Sequence, residues 1–329
     1  MRGTILVTGG AGYVGSHVTR ELVDRGADVV VFDNLQTGWR QALPPEARFI
    51  EGDLADAAAL DRLFSGRPIA AVMHFAANSL VGNSMRDPFP YLGDNVSNAV
   101  SLVKAMAKHE VRKMVFSSTA SLYGQAGETA IDEAAEIAPD SPYGESKYQV
   151  ERMLGWAERI FGIRSACLRY FNAAGAHPGG RIGEDHRPET HLIPLALQVA
   201  EGQRPDLTIF GDDYATPDGT CIRDYVHVCD LADAHLRVLD VVDRQSCCYN
   251  LGTGHGYSVR EVVAAVAQVT GRPCPATVGP RRAGDPPMLV AASGKIRREL
   301  GWTPRFDDLQ EIIGSAWQWR QNFPRGYAE

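Results

Sequence analysis

"TGGAGYVGSH", Thr8 to His17, decides how this chain of 329 residues is read. It follows the short apolar run "TILVT" (4–8). It leads into "GSHVTRELVDRG" (15–26), whose apolar residues recur with a helical period and stop at a glycine. Gly10, Gly12 and Gly15 fit G-x-G-x-x-G, and Gly9, Gly12 and Gly15 fit G-x-x-G-x-x-G. With 33 glycines in the chain the spacing alone is weak, and its place between a strand and a helix strengthens it. Glycines there permit a tight turn and close backbone approach, and the start of the helix offers N–H groups to a pyrophosphate. The next strand-like run, "DVVVFDN" (28–34), carries Asp33. An acid at that place accepts hydrogen bonds from ribose hydroxyls and disfavours a 2′-phosphate, so the expected cofactor is NAD(H).

The same alternation continues outward. "ARFIEGDL" (47–54), "AAVMHFAA" (70–77), "KMVFSS" (113–118) and "RSACLRYFN" (164–172) read as strands separated by helical stretches. This pattern predicts an α/β fold, a Rossmann-type doubly wound parallel sheet with right-handed crossovers. After about Asn172 the loops lengthen and fill with Gly, Pro and Asp. Two shorter stretches, "CIRDYVHVCDLADAHLRVLDVV" (221–242) and "YSVREVVAAVAQVTG" (257–271), still read as strand or helix. The expected division is an NAD-binding domain over 1–172, to which segments around 221–255 return. A smaller C-terminal α/β substrate-binding region covers 173–329.

Composition narrows the class. A 44% hydrophobic and 22% charged chain is ordinary for a globular protein of a size that buries a large core. A net charge of −7 argues against a nucleic-acid partner or an anionic membrane surface, and "KIRREL" (295–300) is too short and mixed in sign to be a basic patch. No apolar run approaches the length of a membrane span, and "MRGTILVTGG" lacks the core and cleavage site of a signal peptide. The six cysteines, Cys167, Cys221, Cys229, Cys247, Cys248 and Cys274, form no C-x-x-C pair and no Cys/His cluster of metal-ligand spacing. The expectation is free thiols in a reducing cytoplasm and no metal.

"SPYGESK" (141–147) places Tyr143 four residues before Lys147, which on a helix stacks both side chains on one face. Together with the G-x-x-G-x-x-G form, this resembles the short-chain dehydrogenase/reductase superfamily in its extended form. The resemblance implies that Tyr143 is the acid/base and that Lys147 holds its phenolate. Moving a phenol from a pKa near 10 toward 7 needs about 4 kcal/mol. One positive charge roughly 6 Å away supplies about 2.5–3 kcal/mol at an effective dielectric near 20. Lys147 alone is therefore insufficient, and Lys147 with a positive nicotinamide ring suffices. In "VFSSTASLYG" (115–124), Thr119 takes the place of the family's Ser/Thr that hydrogen-bonds the reacting hydroxyl. Nucleotide-sugar 4,6-dehydratases carry Asp-Glu after that residue and decarboxylating relatives a Glu, whereas this chain has Ala120 and Ser121. Oxidation at carbon 4 then has no onward elimination, and the hydride returns.

The later blocks "RYFNAAGAHPGGRIGEDH" (169–186), "LTIFGDDYATPDGTCIRDYVHVCDLADAH" (207–235), "YNLGTG" (249–254) and "RRAGDPP" (281–287) resemble the UDP-glucose 4-epimerase (UDP-galactose 4-epimerase) family over essentially the whole chain. On the cofactor side the resemblance implies Gly9, Gly12, Tyr13, Val14 and Gly15 in the loop, then Asp33, Asn34, Asp53 and Leu54. Phe75, Ala76, Ala77, Ser79, Asn95, Tyr143, Lys147 and Tyr170 complete that side. For the UDP-sugar it implies Thr119, Ser121 and Tyr143 at the sugar, with Phe171, Asn172, His191 and Leu192 following. Thr208, Ile209, Phe210, Tyr225, Asp285 and Leu289 line the rest, and Arg223 and Arg282 grip the diphosphate through charge-assisted bonds. Arg281 reads as a surface ion pair. Three positions depart from common family residues. Ser79 stands where some members have Lys, His191 where an Asn often contacts substrate, and Leu289 where strict glucose/galactose epimerases have Tyr.

The implied protein is a cytoplasmic homodimer with tightly bound NAD, pairing through helices in 94–109 and 144–160. It epimerises UDP-glucose and UDP-galactose. Two rivals stand beside this reading: the same chemistry on a UDP-N-acetylhexosamine, UDP-glucuronic acid or UDP-pentose, and a non-catalytic NAD-sensing protein on this fold. The second has no reason to keep Thr119, Tyr143, Lys147 and both arginines together.

Overall fold

The computed structural model describes residues 3–124, 129–282 and 285–327. Ala283 and Gly284 of the "RRAGDPP" block lie outside the described residues. The chain divides into two compact units. The first comprises Met1–Tyr123, Ile137–Arg169 and Ala232–Tyr249, and the second Gly124–Glu136, Tyr170–Leu231 and Asn250–Glu329.

Six strands of the first unit are β1 (Thr4–Thr8), β2 (Val29–Asp33), β3 (Arg48–Glu51), β4 (Ile69–His74), β5 (Lys113–Thr119) and β6 (Arg164–Tyr170). With Cys247–Leu251 they form a seven-stranded sheet in the order Cys247–Leu251, β6, β5, β4, β1, β2, β3. The pairings of β1 with β2 and β4, of β2 with β3 and of β4 with β5 are parallel. All five residues of β1 and of β2 are buried, which is why these strands read as unbroken apolar runs rather than as alternating ones. The order reverses between β1 and β4, so the crevice at their C-terminal ends is the switch point where this fold takes a dinucleotide. The core beneath gathers Leu6, Val30, Phe32, Val72, Met114 and Phe116 with helix residues such as Leu102 and Leu154.

Two helices of this unit bear on the site. Tyr13–Asp24 starts two residues earlier than its periodicity suggests, with Gly12 as N-cap. Pro142–Phe161 has strong punctuation: the Ser141 side chain accepts the Gly144 N–H, Pro142 occupies the first turn, and Gly162 ends the helix at φ 66°.

In the second unit, strand Ile222–His227 pairs parallel with Asn172–Ala174 and Met288–Leu289 and antiparallel with Gly256–Ser258. Strand Leu207–Phe210 pairs with Ala276–Gly279. Helices Leu192–Ala200, Val259–Thr270 and Leu309–Asn322 supply the core residues Ile193, Leu197, Val262, Val266, Ile312 and Ile313. "RSACLRYFN" therefore splits, because β6 ends at Tyr170 and Asn172 joins the other sheet.

Candidate active site

The glycine loop forms a cradle. Gly9 has φ +73°, and a Cβ there would run into the Ala76 backbone; one on Gly15 would strike the Gly9 carbonyl oxygen. The helix starting at Tyr13 has no capping side chain and no acid in its first turn, so its N–H groups suit an anion. At the end of β2, Asp33 accepts the Ala11 N–H (3.0 Å) on one carboxylate oxygen and the Leu35 N–H (2.8 Å) on the other. Burial pushes its pKa up against the pull of those bonds. The Asn34 amide donates to Asp53 (2.9 Å), which also accepts the Ala55 N–H (2.8 Å), and Leu54 beside it is buried. The Phe75 and Ala76 N–H groups donate to the Thr8 carbonyl, and Phe75 stacks against His235 at 4.9 Å. Ala77 is half-buried and Ser79 exposed. A side-chain-free cradle, uncapped helical N–H groups and an anchored acid at the second strand are a donor set that fits NAD(H).

The chemistry-bearing side chains meet on Pro142–Phe161 and at the end of β5. Tyr143 and Lys147 lie on one buried face of the helix. Lys147 Nζ donates to the Ser117 carbonyl (3.0 Å), sits 4.9 Å above the Phe116 ring and lies 5.9 Å from the centre of the Tyr143 ring. Burial lowers its pKa to about 7, against the charge of Glu151, which raises it. Thr119 Oγ1 donates to Ser121 Oγ (3.2 Å) and accepts the Ser121 N–H (3.1 Å). Gly144 is needed here, since a Cβ would collide with the Ser121 carbonyl. Its bareness brings the Thr119–Ser121 turn against the backbone beside Tyr143.

Sequence reading missed the layer that braces this group. Glu151, one turn beyond Lys147, receives bonds from Ser118 Oγ (2.5 Å) and from Arg169 Nε (3.0 Å) and Nη2 (2.5 Å). Arg169 Nη1 also donates to the Tyr123 hydroxyl (2.8 Å). Asn95, expected on the cofactor side, has an amide that ties the Asn78 backbone (2.8 and 3.0 Å) to Ser146 (3.1 Å), with 5% of the residue exposed. The i, i+4 spacing of Lys147 and Glu151 was a legible signal; the reach to Arg169 was not.

Apart from Thr119, Ser121 and Tyr143, the predicted substrate residues belong to the second unit. The small sheet sets Asn172 opposite Tyr225 and Leu289 opposite Arg223, with Arg223 and Tyr225 on the same face of their strand. Arg223 donates to the Pro286 carbonyl (2.9 Å) and pairs with Asp285 (3.1 Å). Arg282 Cζ lies 3.9 Å over the Phe210 ring and forms no ion pair among the described residues, leaving its charge for a ligand. Arg281 pairs with Asp213 (2.6 Å), the surface role expected of it. Thr208 and Phe210 share the exposed face of their strand, whereas Ile209 points to the other side and is buried. Tyr225 and Phe171 are buried, and Tyr170 is half-buried. His191 contacts Glu184 through Nδ1, and Leu192 packs against the core. A further unforeseen anchor is Asp224, fully buried, which accepts the Thr253 N–H (2.9 Å) and hydroxyl (2.8 Å) and the Gly254 (3.0 Å) and Ala291 (3.1 Å) N–H groups. The "YNLGTG" block thus supplies donors that hold the strand carrying Arg223 and Tyr225.

The model of the NAD dependent epimerase/dehydratase family matches residues 5–252. A UDP-glucose 4-epimerase of Lacticaseibacillus casei is 50% identical over 328 residues, covering 99% of each chain. A crystal structure of a UDP-glucose 4-epimerase superimposes with a TM-score of 0.96 at 52% identity, covering 99% of this chain and 100% of that one. The UDP-glucose 4-epimerase of Bifidobacterium longum, solved with NAD+ and UDP, gives 0.94 at 38% identity, covering 98% and 99%.

Proposed function

The chain belongs to the NAD dependent epimerase/dehydratase family, and from that premise we propose that it interconverts UDP-glucose and UDP-galactose by inverting carbon 4 of the hexose. The observation that carries this reading is the buried Thr119, Tyr143 and Lys147 group, followed by Ala120 and Ser121 where a carboxylate would divert the reaction. Bound NAD+ supplies a reversible hydride acceptor for carbon 4. The loop from Gly9 to Gly15, Asp33 and the residues following β4 hold it.

Tyr143, as phenolate, takes the proton of the 4-hydroxyl, directly or through Thr119, and gives it back when the 4-keto sugar has presented its other face. Lys147 holds the phenolate by its charge. A phenolate also answers the difficulty of that buried ammonium, whose pKa burial lowers to about 7 even with Glu151 pulling it up. Arg282 grips the diphosphate with Arg223, whose pairing with Asp285 fixes its orientation. Leu289, opposite Arg223, faces the substituent at carbon 2. Exposed Val100, Trp156, Ile160 and Phe161 on helices Val96–Lys108 and Pro142–Phe161 support a homodimer through these helices. Six free cysteines, and the lack of any helix among the described residues long and apolar enough to cross a membrane, support a cytoplasmic place.

The test is an NMR or chromatographic assay of the purified chain on UDP-galactose with no cofactor added. UDP-glucose should form, and added NAD+ should barely raise the rate, because the cofactor is regenerated in each cycle. Consumption of NAD+ in proportion to product would make the enzyme a net dehydrogenase. NAD binding with every UDP-sugar left unchanged would make it a sensor.

A further inference from the structure

We propose that Glu184, His186, Glu189 and His191 form a binding site for one zinc-class divalent cation. The four lie in the run "EDHRPETH" (184–191), immediately before helix Leu192–Ala200, and all belong to the second unit. One ligand atom from each, an imidazole nitrogen or a carboxylate oxygen, lies within 4.8 Å of the other three. His186 Nδ1 is 3.1 Å from Glu184 Oε1 and 3.8 Å from a carboxylate oxygen of Glu189, and His191 Nδ1 contacts that same Glu184 oxygen. The two imidazole rings stand at 90° with centres 5.1 Å apart. Tetrahedral zinc at about 2.0–2.1 Å from N and O ligands sets its donors roughly 3.3 Å apart. Reaching that arrangement takes side-chain shifts of up to about 1.5 Å, with the Glu184–His191 contact opening as the others close.

The donor set selects the metal. Two imidazoles with two carboxylates suit Zn2+ and the neighbouring transition ions, whereas Mg2+ and Ca2+ take oxygen ligands. Two carboxylates balance the charge of a divalent ion. Four protein ligands leave no position for substrate, which makes the site structural. The loop is already fixed. The Gly183 N–H donates to the Tyr327 hydroxyl (2.9 Å), the Tyr327 N–H to Asp185 (2.8 Å), and Glu189 Oε1 accepts the Thr190 (2.7 Å) and His191 (2.8 Å) N–H groups. A search for Cys and His spacings passes over this run because half of its donors are carboxylates. Bound metal would fix the orientation of His191 and the approach to Leu192; this last consequence rests on the proposed function, and the site itself does not.

The experiment is calorimetric titration of the chelator-treated full chain with ZnCl2, alongside thermal unfolding with and without zinc. The unaltered chain should take up one Zn2+ and unfold at a higher temperature with it, while MgCl2 should do neither. His186→Gln and Glu189→Gln keep size and polarity and should each weaken uptake by at least the roughly 10- to 100-fold that follows loss of an outer partner of a metal site. Failure to bind zinc, or binding equally tight in both variants, overturns the proposal. If neither variant folds, anomalous scattering at the zinc edge from crystals of the unaltered chain decides it, and an ion located elsewhere overturns it. Loss of the 4-epimerase reading would leave all of these readouts unchanged.

Discussion

Glu151→Gln is the substitution that most directly tests how the catalytic group is held. The exchange conserves volume and removes one charge. In the native chain Glu151 and Arg169 expose 9% and 8% of their side chains and share two charge-assisted bonds. Removing one partner of such a buried pair costs about 3–5 kcal/mol, because the other charge stays buried without its counterion. Glutamine can still accept one bond, which places the loss near 3 kcal/mol. At roughly 2–4 °C per kcal/mol, the thermal midpoint should fall by about 6–12 °C. Function should respond in a distinct way. Glu151 raises the Lys147 pKa, so removing its charge moves that pKa further below about 7. Lys147 then loses its proton at lower pH, and the alkaline limb of the rate profile should move to lower pH. With Ser118 released beside Thr119, kcat should drop on the order of 10-fold. The measurements are circular-dichroism melting and a pH–rate profile on UDP-galactose. Replacing both partners, Glu151→Leu with Arg169→Met, should recover most of the stability while leaving the alkaline limb displaced. A Glu151→Gln chain with the native midpoint and an unmoved alkaline limb would refute the reasoning.

Tyr143→Phe removes one hydroxyl and should lower turnover by roughly 100- to 10,000-fold with fold and NAD content intact; more than about a tenth of the native rate would show that Tyr143 is not the base. Leu289, shorter than Tyr and bulkier than Ser, should leave weak turnover of UDP-N-acetylglucosamine beside the main activity, since a methylene-scale misfit is worth only about 1–3 kcal/mol. Leu289→Tyr should remove that weak activity and Leu289→Ser raise it, and an unchanged ratio of the two kcat/KM values would mean that Leu289 does not face the sugar. Light scattering should give the mass of two chains, and the mass of one would leave the exposed Trp156 and Ile160 without the proposed partner.

Whether a feature was legible in the sequence follows from how far apart its determinants lie. Buried parallel strands are local, so "TILVT" and "VVVFD" declare themselves, and the glycine loop between strand and helix needs only ten residues. Tyr143 and Lys147 are one helical turn apart and were visible for the same reason. Arg169 meets Glu151 from 18 residues away and Asn250 reaches Ile131 across 119, and no local pattern encodes such pairings. Resemblance fills part of that gap but works by stretches. It assigns 208–210 as a block, within which strand alternation places Ile209 in the core and Thr208 and Phe210 on the exposed face. It assigns Asn95 to the cofactor side, and the folded chain adds a brace between the Asn78 backbone and Ser146 that no local pattern encodes.

These braces answer a physical conflict at the centre of the site. Lys147 must be charged to hold a phenolate, yet it is 3% exposed and its pKa falls from 10.5 to about 7. The unfolded chain therefore binds more protons between about pH 7 and 10.5. Stability is lost as pH falls through that window, and below pH 7 the full penalty, on the order of 5 kcal/mol, stands. That is a large part of the stability of an ordinary domain, and it is what remains after an opposite charge has already reduced it. Glu151 supplies the opposite charge one helical turn away. It is itself a buried carboxylate, and Arg169 and Ser118 satisfy its oxygens. Arg169 in turn lies over the Tyr123 ring at 5.4 Å and bonds its hydroxyl. Each group eases the problem that the previous one creates, and the chain of partners reaches the Tyr123 phenol. The reacting residues are few and close in sequence, while the residues that let them be buried and charged reach across the first unit from Ser118 to Arg169.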